Sequence, residues 1–139
     1  MSPSADAPSS SSPVEALNFT TGQIVQEIGY DDDVDLDLRD AIEDAIGGEL
    51  EDEDTQEIVD AVVLWWREGD GDLTDAMVDT LRSIEPGAPV WIITPKAGRS
   101  GHVLPGEIQE SAGIAGLRVM SSVSLAADWT GTRLASRVI

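Results

Sequence analysis

The sequence predicts an α/β protein, a three-layer sandwich with a mostly parallel sheet closed by a C-terminal antiparallel hairpin. Three observations carry this reading. Two apolar runs, Ala61-Val62-Val63-Leu64-Trp65-Trp66 and Val90-Trp91-Ile92-Ile93-Thr94, have the unbroken apolarity of strands covered on both faces. Amphipathic segments with apolar residues three and four positions apart alternate with them. Beyond residue 116 the period changes to two, as in a hairpin with one wet face.

The elements follow in order. Residues 1–16 are rich in Ser, Pro and Ala, a composition that buries too little apolar area to offset chain entropy, so they read as a disordered tail. Residues 17–139 then form a single α/β domain. Gln23–Ile28, bounded by Gly22 and Gly29, reads as the first strand. Asp35 caps a helix whose apolar residues Leu38, Ala41, Ile42, Ala45 and Ile46 share one face, and Gly47-Gly48 ends it. Glu49–Glu51 suggests a very short strand. Asp54 with Glu57 three residues on suggests a capped helical turn. After the first apolar run, Asp72 and Asp75 cap a second helix with Leu73, Ala76, Met77, Thr80, Leu81 and Ile84 on one stripe, ended by Pro86-Gly87. A polar loop from Pro95 to Val103 leads to a third, weaker helix from Pro105 to about Ala112. Leu117, Val119, Val123 and Leu125, then residues 133–138, alternate as two strands joined across Ala126–Gly131. Buried strands alternating with helices imply parallel pairing and helices on both faces, a Rossmann-like arrangement.

Composition narrows function by exclusion. The 139 residues carry 27 acidic and 8 basic side chains, no cysteine and one histidine, His102. Thiol chemistry, cysteine-held metals and sites needing several imidazoles are excluded. A formal charge of -19 disfavours direct binding to nucleic acid or an anionic membrane, since both repel carboxylates. No apolar run approaches the ~20 residues of a membrane span. The N-terminus lacks the basic start and apolar stretch of a signal peptide, so a cytoplasmic location is expected. The charge is uneven. Residues 1–87 hold 24 of the acidic residues against 3 basic ones, and residues 88–139 are slightly positive. An acidic face opposite a nearly neutral one is the expected outcome.

Four blocks carry a resemblance. GQIVQEIGYDDDVD (22–35), GDGDLTDA (69–76), TPKAGRSGHV (94–103) and DWTGTRL (128–134) resemble, in the same order, a family of short acidic actinobacterial proteins of unknown function. That resemblance implies no activity. More distantly, the strand DAVVLWW, the helix after it, PGAPVWIITPK and the closing hairpin are similar to the second half of S-adenosylmethionine-dependent methyltransferases. That similarity implies a Rossmann fold whose first strand ends in a glycine-rich cofactor turn. The matching place here is Glu27-Ile28-Gly29-Tyr30-Asp31-Asp32-Asp33, with one glycine, a bulky ring and three carboxylates. The span from Ile28 to Ala61 leaves little room for the strand and helix that wall the adenosine. The expected cofactor is therefore none.

Candidate sites sit at the carboxyl ends of the parallel strands, where open sheets form ligand crevices. The candidate rim is Gly29, Tyr30, Asp31, Lys96, Arg99 and His102. One reading gives Lys96 and Arg99 an anionic ligand or a partner carboxylate; the simpler one has them neutralise Asp31–Asp33 across the rim. The run Asp31–Asp37 resembles a calcium loop: one starting at Asp33 has carboxylates at positions one, three and five, but its sixth position is Leu38 where the sharp turn needs glycine, so a helix N-terminus explains it and no metal is expected. Trp65, Trp66 and Trp91 read as core, with Trp65 and Trp66 on opposite faces. Trp129 reads as a hairpin-loop residue that clamps the sheet edge or anchors a partner.

No nucleophile–base pair, phosphate loop, complete cofactor turn or metal spacing stands out, so no catalytic residue is assigned. The expected function is a non-enzymatic acidic interaction module that binds a protein with a basic surface through Asp31, Asp32, Asp33 and Trp129. The alternative is a reduced methyltransferase, or a small-nucleotide or anion binder, using the candidate rim.

Overall fold

The computed structural model describes residues 13–82 and 84–136. The expected tail falls outside these for residues 1–12, as does the end of the hairpin beyond Ser136. Pro13–Leu17 forms a 3-10 turn that seats Leu17 in the core at 1% exposure.

Five strands form one sheet in the order β1-β2-β3-β5-β4. β1 (Val25–Ile28), β2 (Ala61–Trp65) and β3 (Val90–Pro95) are parallel neighbours, and β5 (Trp129–Ser136) runs antiparallel to both β3 and the edge strand β4 (Leu117–Ser124). β2 and β3 are buried along their whole length, as their unbroken apolarity requires. The expected α/β class and its mixed sheet are therefore present.

Helix α1 (Leu36–Ile46) starts where Asp35 accepts a hydrogen bond from the Leu38 N–H at 2.8 Å. It ends at Gly47, whose φ of 74° is the left-handed conformation glycine adopts without strain. Its Leu38, Ile42 and Ile46 pack on Val25, Ala61, Val63, Trp65, Trp91 and Ile93, covering one face of the sheet. Helices α2 (Leu73–Thr80) and α3 (Pro105–Ala115) cover the other through Leu73, Met77, Ile108 and Ala112, against Val62, Leu64, Val90, Ile92 and Leu134. Trp65 and the half-buried Trp66 duly point to opposite layers.

Several boundaries differ from expectation, each for a local reason. β1 begins at Val25 because the backbone of Ile24 is engaged by Asp60, whose carboxylate accepts the Ile24 N–H at 2.8 Å. The short strand at 49–51 reduces to one parallel bridge, Gln26 to Glu51. No helical turn forms at Asp54–Glu57. Asp52 accepts from the Asp54 N–H at 2.9 Å, and this local turn competes with helix formation. α2 stops at Thr80, whose hydroxyl donates to the Met77 carbonyl at 2.6 Å, and Ile84 bridges Val59 instead of extending the helical stripe. α3 runs on to Ala115 before Gly116 caps it. In β4 a bulge at Met120 shifts the register between Val119 and Ser121. Val119 therefore faces α3 opposite Leu134, whereas Val123, opposite Gly131, packs on the α1 side, so the simple alternation expected from Leu117 to Leu125 does not hold. Trp129 opens β5 and lies outside the hairpin loop.

Candidate strand-end site

Parallel β1, β2 and β3 bring the loops after Ile28, Trp65 and Pro95 to one rim. The centre of that rim is Arg67, directly after the two tryptophans. Its guanidinium donates to both oxygens of Asp33 at 2.6 and 3.1 Å and to the Gly29 carbonyl at 2.8 Å. Asp70 lies 3.4 Å away, and the Trp129 ring lies 5.5 Å from the guanidinium carbon. Burial works against the charged form of Arg67, but the hydrogen bonds and charge of Asp33, with Asp70, outweigh it and hold the guanidinium above its ordinary pKa. The hydrogen bonds from Arg67 in turn hold Asp33 below the usual carboxylate value, against a smaller desolvation effect.

The backbone of Gly29 is held by its neighbours on three counts. Its φ is +83°, and a Cβ there would stand 2.3 Å from the Trp65 carbonyl oxygen, so β2 itself demands glycine at this turn. Its N–H donates to a Glu53 carboxylate oxygen at 2.9 Å, and its carbonyl is taken by Arg67. Glu53 arrives because the Glu51 N–H donates to Val25 and the Glu51 carbonyl accepts from Glu27, both at 2.8 Å, laying residues 50–53 along the β1 edge. This segment occupies the sheet position beside β1.

Behind the rim lies a buried polar cluster. Glu27, 6% exposed in β1, accepts from the Trp65 indole at 2.9 Å and from Arg39 at 2.6 and 2.8 Å. The hydrogen bonds to Glu27, opposed by burial, raise the Arg39 pKa. Arg39 also stacks over the Tyr30 ring at 4.9 Å.

The candidate rim residues divide among three hollows. Gly29, Tyr30 and Asp31 line a crevice of about 330 Å³ shared with Glu53, Asp70 and Asp79, where Arg67 is the opposing cation. Arg99 lines a second basin of about 520 Å³ with Asp33, Asp128 and Trp129. His102 lines a third of about 300 Å³ beside α3, its Nδ1 donating to the Pro95 carbonyl at 2.9 Å. Lys96 joins the hairpin through its backbone N–H, which donates to the Asp128 carbonyl. The neutralising cation for Asp33 is Arg67 and not Lys96 or Arg99; Arg99 pairs with Asp128 at 2.8 Å. Asp31 and Asp32 stay exposed. Trp129 is 5% exposed and meets Trp65 edge-to-face at 4.9 Å. The sequence places the Arg67–Asp70 loop on the same edge as Tyr30–Asp33 but gives Arg67 no role, and it singles out neither Glu53 nor the Glu27–Arg39 pair. The available signals were a carboxylate inside an otherwise buried strand and an arginine placed directly after Trp65-Trp66.

Among the described residues no group of three or more His, Asp or Glu is arranged to hold a metal ion, and no helix is long and apolar enough to cross a membrane.

The sheet order and strand-end crevice define a Rossmann-like fold of the methyltransferase type. The mitomycin 7-O-methyltransferase MmcR superposes with a TM-score of 0.61 at 12% identity, covering 84% of this chain and 50% of that one. The pyocyanin biosynthetic protein PhzM gives 0.62 at 15% identity over 95% of this chain and 56% of its own. A SAM-dependent methyltransferase from Aquifex aeolicus gives 0.56 at 15% identity and covers 89% of both chains. The chain thus spans about half the length of MmcR and PhzM, and at these identities the likeness is one of fold. By sequence, the chain belongs to the family described as protein of unknown function (DUF3052), which matches residues 14–138. Uncharacterized proteins of Mycobacterium bovis and Mycobacterium tuberculosis are each 51% identical over 118 residues, covering 85% of this chain and 74% of theirs.

Proposed function

We propose that this protein is a non-catalytic acidic module that binds a partner protein through a basic surface on that partner. The observation that carries this reading is the self-closure of the Gly29 turn. Glu53 occupies its N–H and Arg67 its carbonyl, so the backbone groups of this turn are spent inside the chain. The crevice in front of it presents Asp31, Glu53, Asp70 and Asp79 against one arginine, a poor setting for a phosphate or carboxylate. Asp31, Asp32, Asp52 and Asp54 are exposed beside it, and Asp37, Asp40 and Asp44 are exposed along α1. Such a surface steers and selects cationic partners.

Crosslinking mass spectrometry in cells identifies the partner, and the association is then titrated with salt. The expected result is a complex crosslinked near β1 and α1 that weakens as ionic strength rises and is lost in Asp31→Lys/Asp32→Lys. A complex indifferent to both salt and this double substitution overturns the reading.

A second reading, a reduced methyltransferase or small-ligand binder, is favoured by the fold likeness together with the crevice at the ends of β1 and β2. It requires saturable calorimetric binding of S-adenosylmethionine, S-adenosylhomocysteine or a nucleotide. Flat titrations at millimolar ligand remove it.

A further inference from the structure

The hollow beside α3 lies on the opposite sheet face from α1 and Trp129, and its chemistry is unlike the rest of the molecule. Its floor follows from strand register. Near the middle of the sheet, Val90, Leu134 and Val119 stand side by side as an apolar row. Two residues further along, Thr132 stands opposite both Ile92 and Ser122, and beyond that Thr130 stands opposite Thr94. The side-chain period of two keeps all of these on the α3 face. The face therefore changes from apolar to hydroxyl as it emerges from under the helix. Pro105 and Ile108 of α3, with Val103, supply an apolar wall above it, and Gln109 adds one amide.

Two of the floor residues are deeply set threonines. Thr94 is 3% exposed and Thr132 is 6% exposed, and both line the hollow. Their hydroxyls, unlike the Trp91 indole N–H, are not buried atoms without a partner, and each can meet a group that enters the hollow. The lining contains no Asp, Glu, Lys or Arg, in a chain of which 25% is charged. A hollow of about 300 Å³ is at the small end of the range for small-molecule sites.

We propose that this hollow is a binding site for a small uncharged ring compound bearing a hydroxyl or carbonyl group. The ring packs on Ile108 and Val103, and its polar group meets Thr94 and Thr132. Each threonine hydroxyl both donates and accepts, so either ligand group is satisfied. The lining offers no carboxylate, ammonium or guanidinium group, and its one titratable side chain, His102, gives Nδ1 to the Pro95 carbonyl.

The test is an NMR titration of the whole ¹⁵N-labelled chain with benzyl alcohol, using benzoate as the charged counterpart. Saturable shifts at the amides of Thr94, Gln109 and Thr132 are expected with benzyl alcohol, with at least about tenfold weaker binding of benzoate, equivalent to about 1.4 kcal/mol. Ser122→Phe, at an exposed edge-strand position, and Gln109→Phe, from the opposite wall, each fill the hollow and are expected to abolish the shifts in a folded protein. The proposal is overturned if benzyl alcohol produces no saturable shift at these amides. It is equally overturned if benzoate binds as well, or if the shifts survive both filled variants.

Discussion

The indole N–H of Trp65 donates to the carboxylate of Glu27 at 2.9 Å, and Arg39 grips that carboxylate through both of its oxygens from helix α1. This one carboxylate ties β1, β2 and α1 together, and it also positions Trp65, whose ring carries Trp129 on its edge. The geometry satisfies a charge that the sheet would otherwise bury at high cost.

The pair is asymmetric, and that asymmetry is testable. The Glu27 side chain is 7% exposed and that of Arg39 is 22%. Arg39→Ala leaves a buried carboxylate without its cation and should cost about 3 kcal/mol of unfolding free energy. Glu27→Gln leaves the charge on the wetter partner and keeps an acceptor for Trp65, so about 1 kcal/mol is expected. Urea midpoints of the two variants decide it, and the reverse order would show that the buried charge does not dominate this cluster.

Gly29 separates two costs that usually occur together. Gly29→Ala combines a left-handed φ with a Cβ placed 2.3 Å from the Trp65 carbonyl oxygen. A loss of about 3 kcal/mol is expected. Gly87 has nearly the same φ, +84°, with nothing within 4 Å of its Cβ position, so Gly87→Ala should cost only about 1 kcal/mol. Thermal melts of both variants give the difference, which measures the close approach of the first turn to β2. Equal losses would locate the whole effect in the backbone angle.

Acid sensitivity should trace in part to Asp33. Arg67 holds its pKa below the ordinary value of 3.8 in the folded protein. A carboxyl with a lowered folded pKa binds its proton more readily in the unfolded chain, so its stabilising contribution is present above the unfolded value and is lost as pH falls through the folded one. Asp33→Asn should therefore be less stable than the natural chain at pH 7, with the gap closing below about pH 4. The side chain is 54% exposed, so added salt should shrink the gap. Urea midpoints at each pH and two ionic strengths check both trends. A gap that persists undiminished at pH 2.5 would assign the effect to lost geometry instead of charge.

What could be read from sequence, and what could not, divides by range. The buried strands at Ala61–Trp65 and Val90–Thr94 and the helix capped by Asp35 were legible because burial on two faces and a helical stripe are local patterns. Gly29 was legible as a turn. Its closure was not, because Glu53 lies 24 residues further on and reaches it only when residues 50–53 lie along β1. That the loops of Asp33 and Arg67 share one edge was legible from parallel pairing, but that Arg67 takes both Asp33 oxygens was not, because it depends on side-chain reach across 34 residues of sequence. The Met120 bulge is a backbone register change that leaves the side-chain alternation around it looking regular.

Glu53 is where fold and proposed function meet. Its carboxylate accepts the Gly29 N–H from an exposed position, so Glu53→Ala should change global stability by less than about 1 kcal/mol. The local effect should be larger. Residues 50–53 keep their two backbone bonds to β1, but the Gly29 amide loses its acceptor and its hydrogen exchange should accelerate well beyond that of Gln26 and Glu27. The same variant bears on the proposed function. A turn closed only by Glu53 would gain affinity for S-adenosylmethionine or another anion-bearing ligand once that carboxylate is gone. A turn that remains closed should not, because Arg67 still holds the Gly29 carbonyl, β2 still presses on its Cα, and Asp31, Asp70 and Asp79 still line the crevice. The expected result is faster exchange at Gly29 with no calorimetric signal for S-adenosylmethionine. Millimolar or tighter binding by Glu53→Ala alone would recast Glu53 as a removable plug in a working cofactor site.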